Sequence, residues 1–166
     1  TFDENCVVVK EVVQLLHGYR LKYTSKHQFL GDFFERLLNT GIKQEAGQFF
    51  TPIPIARFIC KSIPIGKIIE EKNENRAHDF IPYIIDYASG SGHFLTEMMS
   101  ELQGYITKID SNWIKGGKRA RDFFEEIKSN YTWAKTFIYG IEKDYRLSKT
   151  SKVNCFLKGD GDANIF

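Results

Sequence analysis

A glycine-rich loop follows a short apolar run near the middle of the chain, and its residue types could support binding chemistry. The stretch reads IIDYASGSGHF, with one serine between Gly90 and Gly92. Glycine lets a backbone approach a ligand closely, and helical apolar spacing from Phe94 onward predicts that a helix begins at the loop. A strand, tight turn and helix start in this order can hold a nucleotide-like ligand. The alternative is an ordinary connection in which glycine only tightens the turn.

Three ligands compete for this loop. A phosphate-binding P-loop ends in Gly-Lys-Ser/Thr, whereas here His93 follows Gly92 and no lysine is present. A dinucleotide loop carries a third glycine, which is also missing. S-adenosylmethionine has no phosphate, so two glycines without a lysine suffice for it.

An acidic residue ends the next apolar run, IYGIE, at Glu142. A carboxylate at this place in a sheet can accept both hydroxyl protons of a ribose, and dinucleotide sites use one too. A compact NAD unit places that acid roughly 20 residues after the loop, and Glu142 lies much farther along the chain. The residue alone does not discriminate, and a solvated acid at a strand end is the alternative.

The residues before the loop favour helices. Apolar spacing predicts a first helix over 7–16 and a clearer second one within 29–38. A third helix is expected to start with Thr51 as its N-cap and to end at Pro64. The side chains expected to face one side of this helix are Ile55, Phe58, Ile59 and Ser62. The polar segment 70–79 is expected to be an exposed loop.

The pattern then changes to strand, helix, strand and helix. The expected strands lie in 80–86 and 136–142, and Asp144 is expected to cap a last helix that Gly159 closes. That helix is expected to contain the apolar residues Val153, Phe156 and Leu157. This order predicts an α/β fold with a Rossmann-like sheet. Two strands do not make a stable sheet of this kind, so either a strand is hidden or the chain is part of a longer one.

Composition limits the classes of partner. The net charge of +2 permits a nucleic-acid partner without predicting one. No apolar run reaches the roughly 18 residues that span a bilayer, which predicts no membrane partner. The cysteines, Cys6, Cys60 and Cys155, are far apart and show no metal-binding spacing, which favours reduced thiols in a cytoplasmic protein without a metal site.

Three stretches occur in an order that resembles one family. They are GQFFTP at 47–52, DYASGSGHFL at 86–95 and YGIEKD at 139–144. Together they resemble the DNA adenine methyltransferases, and in particular the modification subunit of type I restriction–modification systems. The segment at 29–38 resembles the helix that precedes the first stretch in that family. Tyr87 stands where the family usually has proline, and Ser89 where it often has cysteine.

The resemblance implies an incomplete S-adenosylmethionine-dependent methyltransferase sheet over 47–166, preceded by an α-helical part over 1–46. The cofactor-binding residues that it implies are Phe50, Thr51 and Pro52 beside the methionine part, Asp86, Ser89, Gly90 and Gly92 in the loop, and Glu142 on the ribose. Lys143 or Asp144 would flank the adenine. An aromatic face from Phe49 or Phe50 would favour the sulfonium cation, with core packing the equal alternative for each ring.

One motif of this enzyme class is missing. An Asn or Asp followed by Pro-Pro and an aromatic residue holds the flipped adenine and its exocyclic amine, and no such tetrapeptide occurs in residues 1–166. The resemblance therefore predicts an inactive fragment without a catalytic residue of its own. Its expected partners are double-stranded DNA and the specificity and restriction subunits. Asp160 or Asp162 is a candidate contact to the cofactor adenine, with a polar turn as the alternative.

Two other functions stay open. The chain could be a non-catalytic module for assembly or DNA binding, to which the basic stretch 115–121 would contribute phosphate contacts, although a solvated loop is the simpler interpretation of that stretch. A nicotinamide-dependent oxidoreductase is the second alternative.

Overall fold

The computed structural model describes residues 2–19, 51–159 and 164–166. The predicted second helix, Phe49, Phe50, Asp160 and Asp162 lie outside these ranges. In chain order the described elements are α1 (Phe2–Leu16), α2 (Ile53–Ser62), α3 (Ile65–Glu74), β1 (Ile84–Asp86), α4 (His93–Ile106), a 3-10 helix (Ser111–Trp113), α5 (Gly117–Ile127), α6 (Ala134–Phe137), β2 (Ile138–Gly140), α7 (Tyr145–Lys158) and β3 (Asn164–Ile165).

Three short parallel strands form the sheet, in the order β1-β2-β3. Asp86 on β1 lies opposite Gly140 on β2, and Gly140 lies opposite Ile165 on β3. Both predicted strands are present but shorter than expected. The second is shorter because α6 takes up the start of the segment 136–142. The pattern does not predict β3, since two residues are too few to show alternation. The fold is thus a mixed α/β arrangement with a small parallel sheet.

The helix α4 forms the centre of the core. It follows β1 directly, and its buried apolar side chains are Leu95, Met98, Met99, Leu102 and Ile106. Buried Gln103 on the same helix satisfies three polar groups. Its Nε2 donates to the carbonyls of Ile127 and Lys128 at the end of α5, and its Oε1 accepts from Trp133 Nε1 at 2.7 Å. These bonds hold the segment before β2 against α4.

The two faces of the sheet differ. Ile138 and Ile165 point to the face that is buried. Side chains alternate along a strand, so Ile85 points to the other face, where it is 61% exposed; Ile141, which follows β2, is 44% exposed. Parallel sheets are normally covered on both faces, and the described helices cover one of them.

Several helix predictions are wrong in detail. Helix α2 begins one residue later than expected, with Pro52 and not Thr51 at the N-cap position and no side-chain cap. Its buried residues are Ala56 and Cys60, whereas Ile55, Phe58 and Ile59 are exposed. The small residues are buried because α2 lies directly on α4, and close approach of two helices leaves little room for large side chains.

The segment 70–79 is also not simply a loop, because α3 extends to Glu74. Asn73 explains the difference. It is fully buried, its Nδ2 donates to the carbonyl of Trp113 and its Oδ1 accepts from Lys115 N, both at 2.8 Å. A polar residue with both hydrogen-bonding groups satisfied can be buried at little cost, so this helix needs no apolar residue there.

The expected first helix is present as α1, and none of its residues is buried. Among the described helices, none combines the length and the apolar character that crossing a bilayer requires.

The two loop glycines have different surroundings. Both have positive φ, +53° at Gly90 and +84° at Gly92. A Cβ on Gly92 would lie 2.5 Å from Ser151 Oγ and 3.2 Å from Ser151 Cα on α7, whereas a Cβ on Gly90 would meet nothing within 4 Å. Gly92 therefore permits the close approach of the loop and α7, and Gly90 leaves open space.

We expect Gly92→Ala to destabilise the chain more than Gly90→Ala. Both substitutions place a side chain in the left-handed region, at a cost of roughly 1–2 kcal/mol. Only Gly92→Ala also forces a methyl group against Ser151, which adds about 1–3 kcal/mol. Urea unfolding followed by circular dichroism measures both variants, and equal losses of unfolding free energy would contradict the packing role of Gly92.

Candidate functional site

The glycine loop is attached to the carboxyl end of β2. Ile141 N donates to the carbonyl of Asp86 at 2.8 Å, and Ser89 N donates to the carbonyl of Ile141 at 2.9 Å. A Cβ on Gly140 would lie only 3.1 Å from Ser89 Oγ, so the bare backbone of β2 admits the loop. The loop thus continues the β1–β2 pairing beyond the strands. It lies at the carboxyl edge of the sheet, where open α/β folds bind ligands.

Glu142 bridges this loop and the start of α7. Its Oε2 accepts a hydrogen bond from Gly90 N at 2.7 Å, and its Oε1 accepts one from Asp144 N at 2.8 Å. The residue is half-buried, so it is not merely a solvated acid at a strand end. An ionised carboxylate offers about four acceptor positions, and these two bonds leave capacity for further donors.

Asp86 sits where β1 enters the loop. Its Oδ1 accepts from Ala88 N at 3.1 Å. Its Oδ2 is buried and has no hydrogen-bond donor among the described residues. Buried polar atoms normally have a partner, so this oxygen marks a place where a donor from water or a ligand would be stabilised.

Helix α4 begins at the end of the loop without a side-chain cap, because Gly92 occupies its N-cap position. The first N–H groups of a helix have no partner inside the helix, and they carry a partial positive charge. The loop therefore brings together a helix start, two carboxylates and the open backbone at Gly90.

Residues of α7 support the loop from within the core, and the apolar pattern of the sequence does not indicate them. Asn154 is buried, and its Nδ2 donates to the carbonyl of Ser91 at 2.8 Å. Ser151, one turn earlier, is fully buried against Gly92. Two apolar residues of the same helix, Val153 and Phe156, are exposed. The helical spacing of Leu147, Ser151 and Asn154 is the signal in the sequence, but serine and asparagine are polar and do not by themselves indicate a buried face.

The remaining predicted residues have separate positions. Thr51 is half-buried and Pro52 exposed at the start of α2, and in the described part of the chain no hydrogen bond joins them to the loop. Lys143 is exposed. Asp144 caps α7 as predicted, because its Oδ1 accepts from Arg146 N and Leu147 N, and Gly159 closes that helix in the left-handed conformation.

Helix α2 is joined to α4 by two polar contacts. Arg57 forms a bidentate ion pair with Glu97, and Cys60 Sγ donates to the carbonyl of Phe94 at 3.7 Å. The hydrogen bond to Glu97 raises the pKa of the Arg57 guanidinium above its ordinary value. Burial raises the pKa of the Cys60 thiol to about 11, so this cysteine stays protonated near neutral pH and is unsuited to act as a nucleophile.

The basic stretch 115–121 is the start of α5 and the residues before it. Lys115 is paired with Glu74, while Lys118, Arg119 and Arg121 are exposed. Part of the positive charge is therefore neutralised locally, and the other three side chains face solvent.

Comparison with known proteins gives a family. No curated protein matches the chain. A family model described as N-6 DNA methylase matches residues 25–165, a range that includes the glycine loop, Glu142 and all three strands. Since this match spans most of the chain and agrees with a small parallel sheet flanked by helices, the chain belongs to the N-6 DNA methylase family.

Proposed function

We propose that this chain supplies the S-adenosylmethionine-binding part of a DNA methyltransferase that acts on the exocyclic amine of adenine. The observation that carries the proposal is the hydrogen bond between Gly90 N and Glu142 Oε2 at 2.7 Å. This bond joins the glycine loop to the acid at the end of the next strand, and both features are typical of a site for a nucleoside ligand.

The residues present fit this cofactor. Glu142 keeps acceptor capacity for ribose hydroxyl groups, and the space at Gly90 lets a ligand reach the backbone. The buried Oδ2 of Asp86 is an acceptor that suits an ammonium group. No lysine lies in the loop, which agrees with a ligand that has no phosphate. When bound, the cofactor supplies an activated methyl group on a sulfonium, and this chain holds and orients it. Phe50, Thr51 and Pro52 are proposed to border its methionine part.

The finer assignment rests on the resemblance to type I modification subunits. We propose that the chain acts in a restriction–modification system, with DNA and the specificity and restriction subunits as partners, in the cytoplasm. The chain contains no Asn/Asp-Pro-Pro-aromatic tetrapeptide. The motif that would hold a flipped adenine and accept its amine protons is therefore not among the residues of this chain.

Glu142→Gln should weaken binding of S-adenosylhomocysteine at least tenfold. The substitution keeps the size of the side chain but removes the charge, and a hydrogen bond to a charged group contributes about 1.5–3 kcal/mol. The matched control is Asp110→Asn, which makes the same acid-to-amide change at the exposed cap of the 3-10 helix and should change the Kd less than twofold. Isothermal titration measures both. Equal affinities for the wild type and Glu142→Gln, with unchanged circular dichroism, would remove Glu142 from the site.

The isolated 166 residues should bind the methyl donor and transfer nothing to DNA. Donor binding without a placed acceptor forgoes the proximity contribution, which amounts to roughly 7–11 kcal/mol of the barrier. The assay is incorporation of labelled methyl groups into unmethylated double-stranded DNA. Titration of the same preparation with S-adenosylhomocysteine is the control that the site is intact. Turnover by the isolated chain would show that it holds catalytic residues outside the expected motif.

A further inference from the structure

The ion pair between Arg57 and Glu97 is unusual for its burial. Arg57 Nε donates to Glu97 Oε2 at 2.8 Å and Nη2 donates to Oε1 at 3.1 Å. The side chain of Glu97 is only 3% exposed, while that of Arg57 is 46% exposed. The carboxylate is thus removed from water and held by a guanidinium that reaches it from the protein surface.

Stability alone is a weak reason for such a pair. The cost of removing a charge from water offsets much of the attraction, and apolar replacements of similar volume are often as stable or more so. A bidentate arginine–carboxylate pair has another property, because two parallel hydrogen bonds fix the relative orientation of the groups. The bidentate arrangement therefore favours a role in fixing the relative orientation of the two helices that carry Arg57 and Glu97.

The position of the pair shows which geometry it fixes. Arg57 lies one turn into α2, which begins directly after Thr51 and Pro52, and Glu97 lies one turn into α4, which begins directly after the glycine loop. The contact between Cys60 Sγ and the carbonyl of Phe94 joins the same two helices. The pair thus links two segments, Thr51–Pro52 and the glycine loop, which together are proposed to contact the methionine part of the cofactor.

The next turn of the same helices provides a natural comparison. Lys61 and Glu101 each lie one turn farther along, and Lys61 Nζ is 3.9 Å from Glu101 Oε1. Their side chains are 57% and 30% exposed. This second pair is a single, longer contact in solvent, which contributes little to structure.

We propose that Arg57 is a positioning residue for the cofactor site. Its bidentate contact with Glu97 fixes the position of Thr51 and Pro52, which directly precede α2, relative to the glycine loop. This proposal rests on the proposed function, since the quantity it controls is affinity for the cofactor.

The test uses two variants and one control in the 166-residue chain. Arg57→Lys keeps the charge but not the planar fork, and the double variant Arg57→Met with Glu97→Met replaces the pair by apolar side chains of similar length. Lys61→Met is the control on the same helix. Three quantities are measured: urea unfolding, the Kd of S-adenosylhomocysteine by titration, and backbone amide exchange at Ile55 and Ala56, whose N–H groups donate to the carbonyl of Pro52.

Both Arg57 variants should bind S-adenosylhomocysteine at least fivefold more weakly. Their unfolding midpoints should stay close to that of the wild type, and the amides of Ile55 and Ala56 should exchange at least fivefold faster. Lys61→Met should match the wild type in all three measurements. Unchanged affinity in the double variant, or unchanged exchange in both variants, would overturn the positioning role and leave the pair a structural contact.

The two proposals fail in different ways. If the wild-type chain does not bind S-adenosylhomocysteine, the proposed function fails. Amide exchange at Ile55 and Ala56 needs no ligand and still decides whether the pair fixes the start of α2.

Discussion

The site depends on the attachment of the glycine loop to the end of β2. Strand pairing ends at Asp86 and Gly140, but hydrogen bonds between the two segments continue through Ile141 to Ser89. Glu142 then accepts from Gly90 N. A loop with two glycines at positive φ has many conformations available when it is free, and these bonds select one of them. The acid that could recognise a ligand also fixes the backbone that the ligand would approach.

Helices α7 and α4 hold the glycine loop in this conformation from the core side. On α7, Ser151 fills the space that Gly92 leaves, and Asn154 binds the carbonyl of Ser91. On α4, the apolar side chains and Gln103 anchor the helix whose start the loop defines. The loop is therefore held through its backbone. That leaves its open side, at Gly90, without a side chain in the way, as close contact with a ligand requires.

The sequence predicts the order of elements and the loop well, because these depend on local rules. The cap of Asp144 and the closure at Gly159 are local too, and the structure confirms both. Contacts between residues that are distant in sequence do not follow from local rules. The exposure of Phe58 follows from the close contact of α2 with α4, and the burial of Asn73 follows from hydrogen bonds to residues near position 113. Neither effect is visible in the periodicity of a single helix, because that pattern reflects only where apolar residues lie and not which distant residues they contact or bind.

The loop and Glu142 are proposed to form a site for S-adenosylmethionine and not for a dinucleotide. Isothermal titration of the wild-type chain with S-adenosylhomocysteine and, separately, with NAD tests it most directly, because the two ligands share an adenosine and differ in the pyrophosphate. We expect saturable binding of S-adenosylhomocysteine and no measurable binding of NAD, since the loop lacks the third glycine of a dinucleotide loop. Tighter binding of NAD than of S-adenosylhomocysteine would contradict it.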